Sequence, residues 1–341
     1  MVQTSKIISA PAAADLPPQV EEEDALDGSS GEPAELRTCV AAQGMHGQRL
    51  DRALAALAPE FSRSYLQQLI AQGCAQVNGQ TATRAAHRLR AGDRFAIELR
   101  PTPASQAFVP QAMPLDVVHE DEHLLVINKP AGLVVHPAAG NWSGTLLNGL
   151  LARDAQAALL PRAGIVHRLD KDTSGLMVVA RTRQAMDALV RQIAARQVRR
   201  EYLALAHGAW RGEPKQEVNA PIGRDPRQRL RMAVVDLNRN PGKPAQTFIE
   251  LLCNLERGCV LRCLLGTGRT HQIRVHLAHL GHPLLGDALY GGAPAAGMTR
   301  QALHARRLSF QHPVTSAPLA FEAPPPPDLS AALSAWGIHS T

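Results

Sequence analysis

No stretch of this chain approaches the roughly eighteen consecutive apolar residues of a membrane-spanning helix, so no span is expected. Met1 to Asp15 carry one lysine and only a short apolar stretch, which lacks the core of a secretion signal. Cysteine is scarce. Cys39, Cys74, Cys253, Cys259 and Cys263 form an odd, scattered set, which argues for a reducing cytoplasm. Cys259 and Cys263 sit in an alternating, strand-like run and read as two small core residues rather than half a metal site. No His-Glu-x-x-His word occurs, and no acidic base lies between His271, His276, His279 and His282. Helical spacing puts His276 and His279 on one face. There is no repeat architecture. Only three tyrosines are present: Tyr65, Tyr202 and Tyr290.

What the chain does have is unevenly placed charge. Its 341 residues are 45% hydrophobic and 19% charged, which suits one or two domains with real cores. Net charge is +6, but residues 1–36 hold eight acids and a single base, Lys6, so the remainder carries +13. A basic body of this kind suits a polyanion such as RNA, although solubility alone accounts for the same charge. Residues 1–36 are also rich in Pro, Ala, Ser and Glu, with few large apolar groups, and are expected to be a disordered acidic tail.

From Arg49 the pattern turns helical. Leu50, Leu54 and Leu57 recur at helical spacing until Pro59. Ser62 can cap a second helix with Tyr65, Leu66, Leu69 and Ile70 on its apolar face, ended by Gly73. Val77-Asn78-Gly79 is a turn into short strands, and Phe95-Ala96-Ile97 is another strand. Residues 37–100 carry nine arginines, no lysine and four acids. Arginine matches phosphate through two parallel bonds, and Arg63 is a candidate RNA contact. Residues 101–114 contain four prolines and read as a semi-rigid linker. Beyond it, strands are expected near 115–119, 123–128, 176–181, 201–207, 246–252 and 259–265. Helices are expected near 144–153, 183–196 and 270–280. Strands outnumber helices, so residues 115–330 read as an α+β domain with a large mixed, mostly antiparallel sheet flanked by helices. Residues 331–341 read as a tail.

The densest polar word is His167-Arg168-Leu169-Asp170-Lys171-Asp172-Thr173-Ser174-Gly175, followed by the buried-strand run Leu176 to Ala180. Core packing does not account for such charge. Asp170 stands between Arg168 and Lys171, and nearby cations favour an ionised base or nucleophile. The plain alternative is a solvated surface turn.

His167 to Ala180 resembles the signature of the RluA-type pseudouridine synthases, which convert uridine to pseudouridine in RNA. Three further segments match in the family's order. Leu124 to Pro137 is similar to its first motif, Arg200-Glu201-Tyr202-Leu203-Ala204 to its tyrosine motif, and Thr267 to His276 to its third. The resemblance covers about residues 40 to 330. In the N-terminal part, Arg49-Leu50-Asp51, Ser62-Arg63-Ser64, Val77-Asn78-Gly79 and Gly92-Asp93 resemble the compact RNA-binding module named after a small-subunit ribosomal protein. The chain departs from the family's pattern at Gly266, where a polar residue is common, and in the shorter stretch Ala293 to Thr299.

The resemblance implies an isomerase that needs no cofactor and no metal, with Asp170 as the catalytic carboxylate, acting on the sugar or on a ribose proton. It implies that Arg274 pairs with Asp170 and that Tyr202 stacks on the target base. Arg274 is expected about one turn into a helix capped by Thr270, bedded among Ile273, Val275 and Leu277. A stacked uridine must be extruded, and Arg168 is the candidate to fill the vacated space. His167, Lys129 and Arg200 are further candidates for substrate contact. Phosphate contacts are expected from Arg196, Arg199 and Arg200, and from Arg224, Arg227, Arg229 and Arg231. His136-Pro137, Gln301 to Ala305 and the N-terminal module most resemble the family type that modifies the helix-69 stem-loop of large-subunit ribosomal RNA. A sister type modifies other sites of that RNA. The expected partner is that RNA or a pre-ribosomal particle, with the chain a cytoplasmic monomer. A non-catalytic ribosome-assembly factor would share the basic body but has no need of Asp170, Tyr202 and Arg274 together.

Overall fold

The computed structural model describes residues 35–58, 63–99, 108–138, 141–228 and 231–338. Outside them lie nearly all of the expected acidic tail, Ser62, Pro101 and Pro103 of the linker, Arg229, and 339–341. Two large sheets, one in each expected folding unit, and a two-stranded ribbon organise the described chain.

The first unit runs β1 (Glu35–Val40), α1 (Leu50–Leu57), α2 (Arg63–Ala71), β2 (Ala75–Val77), β3 (Gln80–Thr81) and β4 (Arg94–Leu99). Its strands pair antiparallel in the order β1-β4-β2-β3. Leu50, Leu54, Leu66, Leu69 and Ile70 of the two helices close over Phe95 and Ile97, a core drawn only from this unit. β1 is the element the sequence reading lacked. It is an edge strand in which Leu36 and Val40 are exposed while Arg37 and Cys39 are half-buried, so its apolar residues do not mark the inward face. The expected tail boundary at 36 falls inside it.

The second unit is built on one nine-stranded sheet. It comprises β5 (Val117–Glu120), β6 (Leu124–Lys129), α3 (Leu146–Arg153), β7 (Ser174–Ala180), α4 (Arg183–Ala194), β8 (Arg199–His207) and β9 (Lys215–Asn219). After a small ribbon of β10 (Ile222–Arg224) and β11 (Met232–Val234) come β12 (Gln246–Leu255), β13 (Gly258–Leu265) and α5 (Gln272–His279). β14 (Leu303–Gln311), β15 (Pro318–Glu322) and α6 (Pro327–Ala335) complete it. The order is β5-β6-β7-β14-β8-β13-β12-β9, with β15 on β14. Only β7 and β14 run parallel. The mixed, mostly antiparallel sheet is as expected, and β5, β6, β7, β8, β12, β13, α3, α4 and α5 lie within a few residues of the expected spans, whereas β14 and α6 had no expected span.

Alternation along the strands builds a core on each face. Leu125, Ile127, Met177, Val179, Tyr202 and Ala204 point to the side covered by α3 and α5. Leu124, Val126, Leu176 and Val178 point to the side covered by α4. β7 is buried at every position, as a central strand should be. Gly175 within it permits the parallel crossing: it has φ +113°, and a Cβ there would lie 2.3 Å from the Ala305 carbonyl oxygen on β14. Cys259 and Cys263 are fully buried core residues of β13. Residues 331–335, read as the start of a tail, instead finish α6. Leu329, Ala332 and Leu333 pack there on Leu203, Leu205 and Val260.

Candidate active site

A cleft of about 470 Å³ opens at the middle of the sheet, beside β14, β8 and the end of β13. Three segments distant in sequence meet there: the loop carrying Asp170 before β7, Arg200 and Tyr202 on β8, and residues 266–274 leading into α5.

The Asp170 turn is closed by the Thr173 amide donating to the Asp170 carbonyl at 3.1 Å. It is pinned from below by Lys129, whose ammonium donates to the carbonyls of Pro130, Leu133 and Lys171 at 2.7, 2.9 and 2.9 Å. This corrects the expected substrate contact. At 1% exposure Lys129 does not face the cleft but ties the first-motif turn to the Asp170 turn. Burial pulls its pKa down to about 7, against the opposing pull of Asp172 and Asp170. His167 is also committed: its Nε2 accepts the Val178 amide at 3.1 Å, and burial lowers its pKa to about 3, so the ring is neutral. It borders the cleft while anchoring the loop to β7.

Asp170 and Arg274 meet as the motifs implied. Arg274 Nη1 donates to Asp170 Oδ2 at 3.1 Å. Sequence reasoning missed the second partner. Arg274 Nε and Nη2 donate to Asp287 Oδ2 and Oδ1 at 2.7 and 2.8 Å, a bidentate pair. Burial alone would lower the Arg274 pKa, but Asp287 and then Asp170 outweigh it and hold it above its ordinary value. The guanidinium also stands 5.0 Å from the centre of the Tyr290 ring. Asp287 and Tyr290 belong to Gly286-Asp287-Ala288-Leu289-Tyr290-Gly291, a lone acid and a rare tyrosine between turn glycines. That word was the available signal.

α5 does not begin at a capping threonine. His271 occupies the cap position in the left-handed region, φ 55°, and contributes no side-chain cap. The Gln272 side chain serves instead, accepting from the Arg269 amide at 3.0 Å and the Thr267 hydroxyl at 2.7 Å. His271 is thereby turned into the cleft. Its Nδ1 lies 2.9 Å from the Tyr290 hydroxyl, which accepts the Met232 amide at 3.1 Å. His271 Nε2 faces Asp170 Oδ1 across 3.9 Å. Burial lowers the His271 pKa, with Asp170 opposing.

Tyr202 is 5% exposed and lines the cleft. Burial pushes its phenol up to about 12, so it is protonated at neutral pH and offers a ring face and a donor rather than a base. Arg168 is exposed at the cleft rim. Arg196 also borders the cleft and donates to Gln246 at 2.9 Å. Arg199 does not, because strand alternation sends it to the opposite face of β8 from Arg200. Arg224 and Arg227 are exposed near β10, whereas Arg231 pairs with Asp225 at 2.6 Å. In the first unit Arg63 and Arg49 both bind the buried Asp51, at 2.8 and 3.1 Å, with about half of each side chain left to solvent. The histidines after α5 begins take separate protein partners: His276 lies 2.9 Å from the Thr247 hydroxyl and His282 lies 3.0 Å from the His207 carbonyl.

Residues 123–279 match the family described as RNA pseudouridylate synthase, and residues 48–95 match the S4 domain. The chain belongs to the RNA pseudouridylate synthase family, and its N-terminal unit is an S4 domain. It is an RNA pseudouridine synthase, which sets aside the non-catalytic alternative. It is 48% identical over 325 residues to the ribosomal large subunit pseudouridine synthase D of Xanthomonas campestris pv. campestris, covering 91% of this chain and 96% of that one. The protein of the same name from Xylella fastidiosa is 50% identical over 305 residues, covering 86% and 90%. Among solved structures, human RNA pseudouridylate synthase domain containing 1 is similar with a TM-score of 0.52 and 28% identity, covering 64% of this chain and 87% of that one.

Proposed function

We propose that this enzyme isomerises uridines of large-subunit ribosomal RNA to pseudouridine, with the helix-69 stem-loop as its target. The observation that carries the catalytic reading is Asp170 held through Arg274 on the buried Asp287, at the floor of an arginine-rimmed cleft. The names of the similar Xanthomonas and Xylella proteins, with the S4 domain, support the choice of RNA.

In this reading the target uridine leaves its stack, Arg168 takes its place, and the base lies on Tyr202. Asp170 Oδ1, the oxygen not bonded to Arg274, attacks the anomeric carbon or removes a ribose proton. The bond from that carbon to N1 breaks, the uracil turns, and a bond to C5 forms as the Asp170–carbon bond breaks or, in the proton route, as Asp170 returns the proton to the ribose. The C5 proton leaves as the ring double bond is restored, and N1 gains a proton. Substrate and product are isomers, so the balance needs no oxidant or reductant. The chain works as a cytoplasmic monomer with its acidic tail, S4 unit, proline-rich linker and catalytic unit divided near residues 36, 100 and 114.

Mapping pseudouridines in ribosomal RNA from cells with and without the protein tests the target. Asp170→Asn tests the carboxylate: turnover on that RNA is expected to fall more than about a thousandfold, roughly 4 kcal/mol of barrier, with binding retained. A variant within about tenfold of wild type would remove Asp170 from the chemistry.

A further inference from the structure

Arg200 is a buried cation with no counter-ion. It is 7% exposed, its Nε is fully enclosed without a hydrogen-bond partner, and no carboxylate among the described residues pairs with it. The neighbouring acid, Glu201, points to the other face of β8, toward Arg307. The two other cations at this floor are matched: Arg274 has Asp170 and Asp287, and the Lys129 ammonium has three carbonyls. An uncompensated buried charge destabilises a fold, so its partner arrives with the substrate.

We infer that Arg200 is a preformed site for one phosphodiester group of the RNA, the one beside the extruded uridine. The inference rests on the proposed RNA chemistry and adds a ligand group to it. Arg200 and Tyr202 are two residues apart on one strand and share a face, so they sit one pleat apart, about 7 Å. That spacing lets one grip the backbone while the other receives the base. Gly268 backs the guanidinium: a Cβ there would lie 2.9 Å from Nη1, so the loop approaches closely only because the side chain is missing. The planar fork matches a phosphate through two bonds. The detached uracil is the other anion that could reach this point. It is charged only after the glycosidic bond breaks, whereas the phosphodiester offsets Arg200 throughout the bound state.

The test uses the full chain and transcribed large-subunit ribosomal RNA. Arg200→Gln is expected to weaken binding about tenfold and to lower the log–log salt slope by about 0.7–0.9. Turnover at saturation should fall by less than affinity does, and Arg200→Lys should restore the slope while recovering only part of the affinity. The melting temperature of Arg200→Gln should equal or exceed that of wild type, because an unpaired buried charge is removed. Unchanged affinity and slope with a large fall in turnover would move the charge to the detached uracil and overturn the assignment. A lower melting temperature with proportionate losses in everything else would make Arg200 a packing residue. If wild type forms no pseudouridine in this RNA, the proposed target fails, while the binding comparison still judges Arg200.

Discussion

At the scale of the residue, the decisive group is one the motifs did not contain. Asp287 holds Arg274 at two points, which fixes the guanidinium beside Asp170. Asp287→Asn keeps an oxygen for one of those bonds but removes the charge. Turnover should drop at least about tenfold, roughly 1.4 kcal/mol, while RNA affinity stays within about twofold. Equal losses in affinity and turnover would show that Asp287 shapes the RNA surface rather than the catalytic pair. The lesson about legibility is specific. Asp170, Arg274 and Tyr202 stood in dense polar words, and the cleft brings all three together. Lys129 stood in a family-like word too, yet it serves the backbone. A motif marks where a charge is required, not whether it faces ligand or protein.

At the scale of the element, the parallel crossing of β7 and β14 sets the floor of the cleft. Gly175 opens it, directly after the catalytic turn. Gly175→Ala would drive a methyl group into the Ala305 carbonyl and force a positive φ on a residue with a side chain. A cost of about 3 kcal/mol is expected, and each kcal/mol lowers the melting temperature by about 2–4 °C in a unit of this size. A variant that melts with wild type would mean that β14 can retreat at no cost. The long buried strands were readable because they run apolar from end to end. β1, β9, β14, β15 and α6 were not placed. Their residues alternate weakly or owe their burial to partners far along the chain, such as Leu203 and Val260 beneath Leu329 and Leu333.

At the scale of the whole molecule, charge and protons set the predictions. Removing residues 1–100 takes away the S4 unit and its nine arginines. The remaining unit has its own cores and keeps Asp170, Tyr202 and Arg274. It should bind ribosomal RNA more weakly with a shallower salt slope, about one unit less per lost phosphate contact, while turnover at saturation largely persists. Equal slopes would show that the S4 unit does not hold the RNA. Acid should also weaken the fold early. Burial holds His136 at about 4 and His167 at about 3, against 6.5 for an unburied ring, and lowers His276 and His304 as well. Between those values the unfolded chain binds more protons. The stability carried by the neutral rings is therefore full above 6.5 and is lost as pH falls toward 4. Each proton taken up contributes about 1.4 kcal/mol per pH unit. Melting temperatures measured from pH 7 to 4.5 should fall steadily, and a flat profile would mean that these rings are not neutral in the fold.

Chemistry and composition were local properties, and the sequence by itself determined them: the excess of arginine, the lone tyrosine of β8, the acid between two cations, the buried strands. Those follow from side-chain type and from periods of two and 3.6 residues, which need no knowledge of distant chain. The tertiary structure alone decided which charges meet. Asp170 and Arg274 are separated by 104 residues, and Asp287 joins them from a different loop. Arg199 and Arg200 are adjacent in the chain, yet β8 sends them to opposite faces, because pleating reverses direction at every residue. Only the assembled sheet makes one of them a surface arginine and leaves the other buried beside the catalytic cleft.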